Sequence, residues 1–96
     1  MDAYIYYGKL KEFPEKIENP FELLEWDEKI IMGAWSFLEC ADKYFGTRNS
    51  CDWGSFYWRC TKADLIKFSK EKNVEVSSPK LSSDTEQYGV VFIEMP

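Results

Sequence analysis

Residues 46–60, GTRNSCDWGSFYWRC, gather the most reactive and adhesive side chains of the chain: Cys51, Cys60, Arg48, Arg59, Asp52, Trp53, Tyr57 and Trp58. Three chemistries are open to such a set: a disulfide, a thiol nucleophile lowered by a neighbouring arginine, or a binding hot spot of Trp, Tyr and Arg. Geometry weighs against the first. From Ser55 to Cys60 the residues alternate, with Phe56, Trp58 and Cys60 on one side and Ser55, Tyr57 and Arg59 on the other, the pattern of a strand. Residues 54–60 then span about 20 Å, the loop before them recovers only about 10 Å, and a bridge needs Cα atoms within roughly 7 Å. The alternation favours the strand, with Cys60 as a small core residue.

The second chemistry lacks a base. The chain has no histidine, which removes Cys-His and Ser-His-Asp arrangements together with the commonest metal ligand. No catalytic residue, metal or cofactor is expected, and the protein is not expected to be an enzyme. What is left in this stretch is adhesion: Asp52, Trp53, Tyr57 and Arg59 are candidate partner-binding residues.

Charge supplies the other candidates. The net charge is −5, and residues 1–45 hold ten acids against five lysines while residues 46–96 hold seven of each sign. All the excess acid therefore lies in the first half. Within 12–28 there are seven acids and one lysine, a field that repels phosphate backbones and attracts a basic protein. Glu18, Glu22, Glu25 and Glu28 are the candidate residues of that field, and nucleic acid is not an expected partner.

These residues need elements to hold them. The 96 residues suffice for one core and one site, so residues 1–96 read as a single domain. AYIYY at 3–7 reads as an opening strand that Gly8 can end. Asn19-Pro20-Phe21-Glu22 has the cap, proline and glutamate of a helix start, and Gly46 suits a helix stop. Between them Trp26, Ile30, Ile31, Phe37, Ala41 and Tyr44 fall in one arc at helical spacing, which predicts one long amphipathic helix over roughly 20–45. Trp35 falls at the border of that arc, half covered, and joins the candidate interface. Thr61-Lys62-Ala63-Asp64 resembles a capping box opening a second helix that ends near Asn73. Val74-Glu75-Val76 suits a short edge strand, and Tyr88 to Met95 a central one. The order β-α-β-α-β-β predicts an α+β fold: a small mixed sheet of three to four strands, the long helix packed on one face, and a second shorter helix.

No apolar run has the length of a membrane span, and the opening MDAYIYYGKL lacks the pattern of a signal peptide, so a cytoplasmic location and no membrane partner are expected. In its size, its acidic segment from Glu12 to Glu28 and its aromatic group Trp53, Tyr57 and Trp58, the chain resembles the small bacterial immunity proteins of polymorphic and contact-dependent growth inhibition toxin systems. The resemblance covers overall character and no diagnostic motif, and it implies a function. An acidic surface with aromatic anchors would cover the active site of a basic, nuclease-type toxin, steered by charge and held by buried contacts. A phage-type inhibitor that imitates nucleic-acid phosphates needs the same acidic face. The competing classes are a ligand-binding domain or enzyme with an aromatic pocket between Tyr4, Tyr6, Tyr57 and the long helix, and a homodimer whose exposed aromatics pair with themselves.

Overall fold

The computed structural model describes residues 3–10, 24–51, 54–76 and 87–94. Among these the order is β1 (Ala3–Lys9), β2 (Glu28–Lys29), α1 (Ala34–Phe45), β3 (Asn49–Cys51), β4 (Ser55–Cys60), α2 (Lys62–Lys72) and β5 (Tyr88–Glu94). The fold is α+β as expected, but the sheet is larger and simpler than the sequence suggested. Its five strands run in the order β2-β1-β5-β4-β3, and every pairing is antiparallel rather than mixed. No helix among the described residues is long and apolar enough to cross a membrane.

Register assigns each strand residue to a face. Ile5, Phe92 and Phe56 stand in one row across three strands, and Tyr7, Val90 and Trp58 in the next. This face carries the helices. Phe37 of α1 is fully buried at its centre, edge-on to Trp58 (centroids 5.4 Å apart) and Phe68 (6.1 Å) and stacked on Phe92 (6.0 Å). Such aromatic pairs contribute about 0.5–1.5 kcal/mol each beyond the area they bury. The opposite face presents Tyr4, Tyr6, Tyr57, Arg59, Val91 and Ile93.

The second helix follows its sequence signals closely. Thr61 and Asp64 exchange the two bonds of a capping box, and Asn73 ends the helix in the left-handed region at φ 54°, ψ 46°. β5 is the central strand, with residues 88–92 buried on both faces, which explains its unbroken apolar run. Gly46 ends α1 at positive φ (90°), a conformation that favours glycine, and its N–H donates to the Asp42 carbonyl.

Four expectations are corrected. Within the described part of the span 20–45, residues 24–33 are not helical: α1 begins at Ala34, with Gly33 as its N-cap. The proposed start at Asn19-Pro20 lies outside the described residues. Leu24 bridges Leu10, Glu28–Lys29 pairs with Tyr6 and Tyr7, and Ile30 N–H donates to the Ile5 carbonyl at 2.8 Å. The segment 24–30 thus satisfies the edge of β1, a demand helical spacing does not register, and its Ile30-Ile31 doublet suits extended backbone. The order is accordingly β-β-α-β-β-α-β. Residues 49–51, expected as loop, form β3 and pair with β4 in a hairpin. Val74 to Val76 joins no strand.

Gly8, finally, does not end β1. It lies within the strand, paired with Gly89. Between the Leu10–Leu24 bridge and the Tyr7–Glu28 pair, residues 25–27 face only residues 8 and 9, so the partner segment carries one extra residue, a bulge. The bulge presses the Trp26 carbonyl oxygen into the space where a side chain at Gly8 would begin. Backbone cannot step aside as a side-chain end can. Gly8→Ala should therefore cost about 2–3 kcal/mol by overpacking, measured as a lowered urea midpoint. Gly89→Ala, whose Cβ meets only the leucine side chains of Leu10 and Leu24, should cost less.

Candidate functional site

Two constellations draw attention. The first joins Asp42, Arg48 and Trp58. One turn before its end, α1 projects Asp42, whose carboxylate accepts from the buried Trp58 indole N–H (2.9 Å) and from Arg48 Nη2 (3.0 Å) and Nε (3.2 Å). Arg48 also donates to the Leu38 carbonyl at 3.3 Å and lies over the rings of Phe56 (5.1 Å) and Trp58 (5.8 Å). The arginine singled out beside Cys51 and Asp52 is thus engaged in a clasp that ties α1 to β4. The bonds from Arg48, then that from Trp58, hold the Asp42 carboxyl below the usual carboxylate range.

The second constellation is the surface where the chain leaves β2 and enters α1. Ile30 turns into the core while Ile31 is 79% exposed, and Trp35, in the first turn of α1, is 65% exposed. Four residues apart, they lie within about 14 Å of each other even along extended chain. Trp58 is buried and Trp26 half-buried, so Trp35 stands out as a large apolar ring left to water. Glu25, Asp27 and Glu39 are exposed around it in sequence, and Glu28 is half-buried. Beside Ile31 a cleft of about 480 Å³ opens between Tyr7 of β1, Glu28 and Lys29 of β2 and Ile31 on one side and the exit of α2 at residues 73–75 on the other. That exit is fixed: Ser69 Oγ donates to the Val74 carbonyl at 2.5 Å and Val74 N–H returns to the Ser69 carbonyl at 3.0 Å.

The candidate residues do not form one patch. Glu28 and Trp35 belong to this second surface. Glu25 is near it in sequence, with its N–H on the Lys9 carbonyl and its carboxylate 3.4 Å from Lys9 Nζ. Tyr57 and Arg59 point to the sheet face away from the helices, opposite Val91 and Gly89. Glu18, Glu22, Asp52 and Trp53 lie outside the described residues. The aromatic pocket drawn between Tyr4, Tyr6, Tyr57 and the helix does not form, because register puts all three tyrosines on the face the helices do not cover.

Sequence reasoning missed Ile31, which helical spacing had placed in the buried arc. The signal was present in the doublet Ile30-Ile31, since extended backbone turns adjacent side chains to opposite sides. Residues 73–75 carried no such signal. Cys60 is an unbridged, buried cysteine whose thiol burial pushes well above its ordinary range, and burial raises Cys40 as well. Neither is suited to nucleophilic work. Among the described residues no group of three or more His, Cys, Asp or Glu side chains is placed to hold a metal ion. Compared with protein-family models, curated proteins and solved structures, the chain shows no match.

The clasp yields a pH prediction with a definite sign. Because the Asp42 carboxyl is lowered in the folded protein, its contribution is complete above the unfolded carboxylate pKa, about 3.9, and is lost as pH falls through the folded value. Asp42→Asn should therefore be less stable than wild type at pH 7, with the gap closing below about pH 4. Denaturant midpoints across pH 2–7 test it. Trp58→Phe, which removes the indole donor and part of a buried ring, should cost about 2 kcal/mol.

Proposed function

We propose that this chain is a protein-binding inhibitor of the immunity type, which neutralises a basic toxin by covering it with the surface that carries Ile31 and Trp35. The single observation behind this reading is the exposure of those two side chains (79% and 65%), four residues apart in the sequence, at the entry to α1. An exposed Trp four residues from an exposed Ile has the makings of a hot spot: a rigid ring and an aliphatic contact, both desolvated only when a partner arrives. Carboxylates at Glu25, Asp27, Glu28 and Glu39 supply the complementary charge for a basic partner and would steer its approach. The division of labour is then conventional for such interfaces, with charge setting the on-rate and apolar burial setting the off-rate.

Inhibition by occlusion requires no chemistry from the chain itself. That fits the lack of histidine in the sequence and the inward, unreactive positions of Cys40 and Cys60.

Affinity capture from the native cell, with the wild-type chain and with Trp35→Ala and Ile31→Ser side by side, tests the reading. The wild type should retain a basic protein, and each substitution should weaken the complex by about tenfold or more, roughly 1.4 kcal/mol or above, mainly through a faster off-rate. Reversing charge at Glu18, Glu22, Glu25 and Glu28 should instead slow association at low salt and leave the high-salt rate nearly unchanged. A partner held equally well by the Trp35 and Ile31 variants refutes this surface.

A further inference from the structure

The outer side of β2 is an unfinished strand edge. Ile30 N–H donates to the Ile5 carbonyl and Glu28 pairs with Tyr7, so Ile30 and Glu28 turn their backbone groups toward β1. In an antiparallel ladder the alternate residues turn theirs the other way. Lys29, and Ile31 one alternation on, therefore point N–H and C=O away from the sheet, about 6.8 Å apart along the chain. Among the described residues no strand lies beyond β2 in the order β2-β1-β5-β4-β3. Space lies there instead: Lys29 and Ile31 line the 480 Å³ cleft, Lys29 is exposed, and Ile31 is the most exposed large apolar residue described. The opposite wall does not close the edge, because Val74 at its middle commits both its N–H and its carbonyl to Ser69.

We infer that an extended segment of the protein partner completes this edge, adding a strand to the sheet beside Lys29 and Ile31; the inference rests on the protein-binding reading above and specifies how that partner is held. Outward N–H and C=O groups at strand spacing are matched in full only by another extended backbone. The cleft gives that backbone a place between β2 and residues 73–75. Ile31 gives it a side-chain contact, and an aliphatic or β-branched residue opposite Ile31 makes the better cross-strand pair. A second copy of this chain is the poorer occupant. Each copy carries a net charge of −5, and an isologous pairing centred on Lys29 would set two lysines directly opposite one another. A basic partner brings the complementary charge. The hold itself comes from backbone hydrogen bonds, so it places no demand on the carboxylates around the cleft.

The experiment uses the intact ¹⁵N-labelled chain and, as probe, the acetylated and amidated peptide Lys-Val-Thr-Val-Lys. The control is the same peptide N-methylated at its three central residues, equal in charge but without those donors. In the free chain the amides of Lys29 and Ile31 should exchange quickly with solvent and that of Ile30 slowly. The probe should shift the Lys29 and Ile31 amides saturably and slow their exchange, and the methylated control should bind about fivefold more weakly or worse. Lys29→Pro removes an outward N–H and no bond to β1, a change that edge strands tolerate. It should keep the resonances remote from the cleft and lose the probe; should it fail to fold, the methylated control decides alone. Slow exchange of Lys29 and Ile31 in the free chain, equal binding of the control, or shifts concentrated elsewhere would overturn the added strand. Protection that grows with chain concentration and without peptide would overturn it too, in favour of a second copy. An edge that ignores the probe while Trp35→Ala still releases the partner rejects the added strand and leaves the interface standing. An edge that takes the probe in a chain whose Trp35 variant holds its partner undiminished does the reverse.

Discussion

Two glycines set side by side decide how the surface of this protein is laid out. Gly8 and Gly89 are register partners in neighbouring strands, and the volume their missing side chains leave is filled by the Trp26 carbonyl, Leu24 and Leu10. That close approach lets the segment after Leu24 settle against β1. The extra residue it carries sets the pairing of Glu28 and Lys29, and strand alternation then sends Ile30 inward and Ile31 out. With a side chain at position 8 the segment would have to lift, and the parity of everything up to α1 would be in play. The exposed Ile31 is therefore a downstream result of a packing constraint on the sheet.

The helix is fixed by a different kind of force. Phe37 inserts among Trp58, Phe68 and Phe92 without regard to direction, whereas Asp42 meets the Trp58 indole and the Arg48 fork in a directional contact. Dispersion among rings tolerates small rotations of α1; the carboxylate does not. Asp42 is about half exposed, so its bonds are screened and modest in strength. Their value is angular. They fix which face of α1 meets β4.

Much of this was legible in the sequence wherever a feature depended on neighbours in the chain. The Thr61–Asp64 box, the left-handed Asn73, the alternation from Ser55 to Cys60 and the unbroken run of β5 are local statements, and each corresponds to a real element. The segment from 24 to 33 failed because two periodicities compete there. Trp26, Ile30 and Ile31 lie at helical spacing, yet β1 needed a partner on its open edge, and that need arises only once the sheet exists. The candidate interface divided for the same reason. Tyr57 and Trp35 are each plausible hot-spot residues by type, but the sheet stands between them, and no linear pattern says on which side a helix will lie. Residues 73–75 and Glu28, remote in the chain, share a cleft only through the tertiary fold.

The place of β5 in the sheet has a further consequence, for the order of events in folding. Among the described strands the middle one comes last in sequence, joined on one side to β1, whose paired residues precede it by 79 to 91 positions, and on the other to β4. Neither the centre of the sheet nor the row of Ile5, Phe92 and Phe56 can assemble until residue 94 is available. Until then the edges of β1 and β4 that β5 joins have no partner. Contacts of such long range slow folding and prolong the exposure of sticky strands.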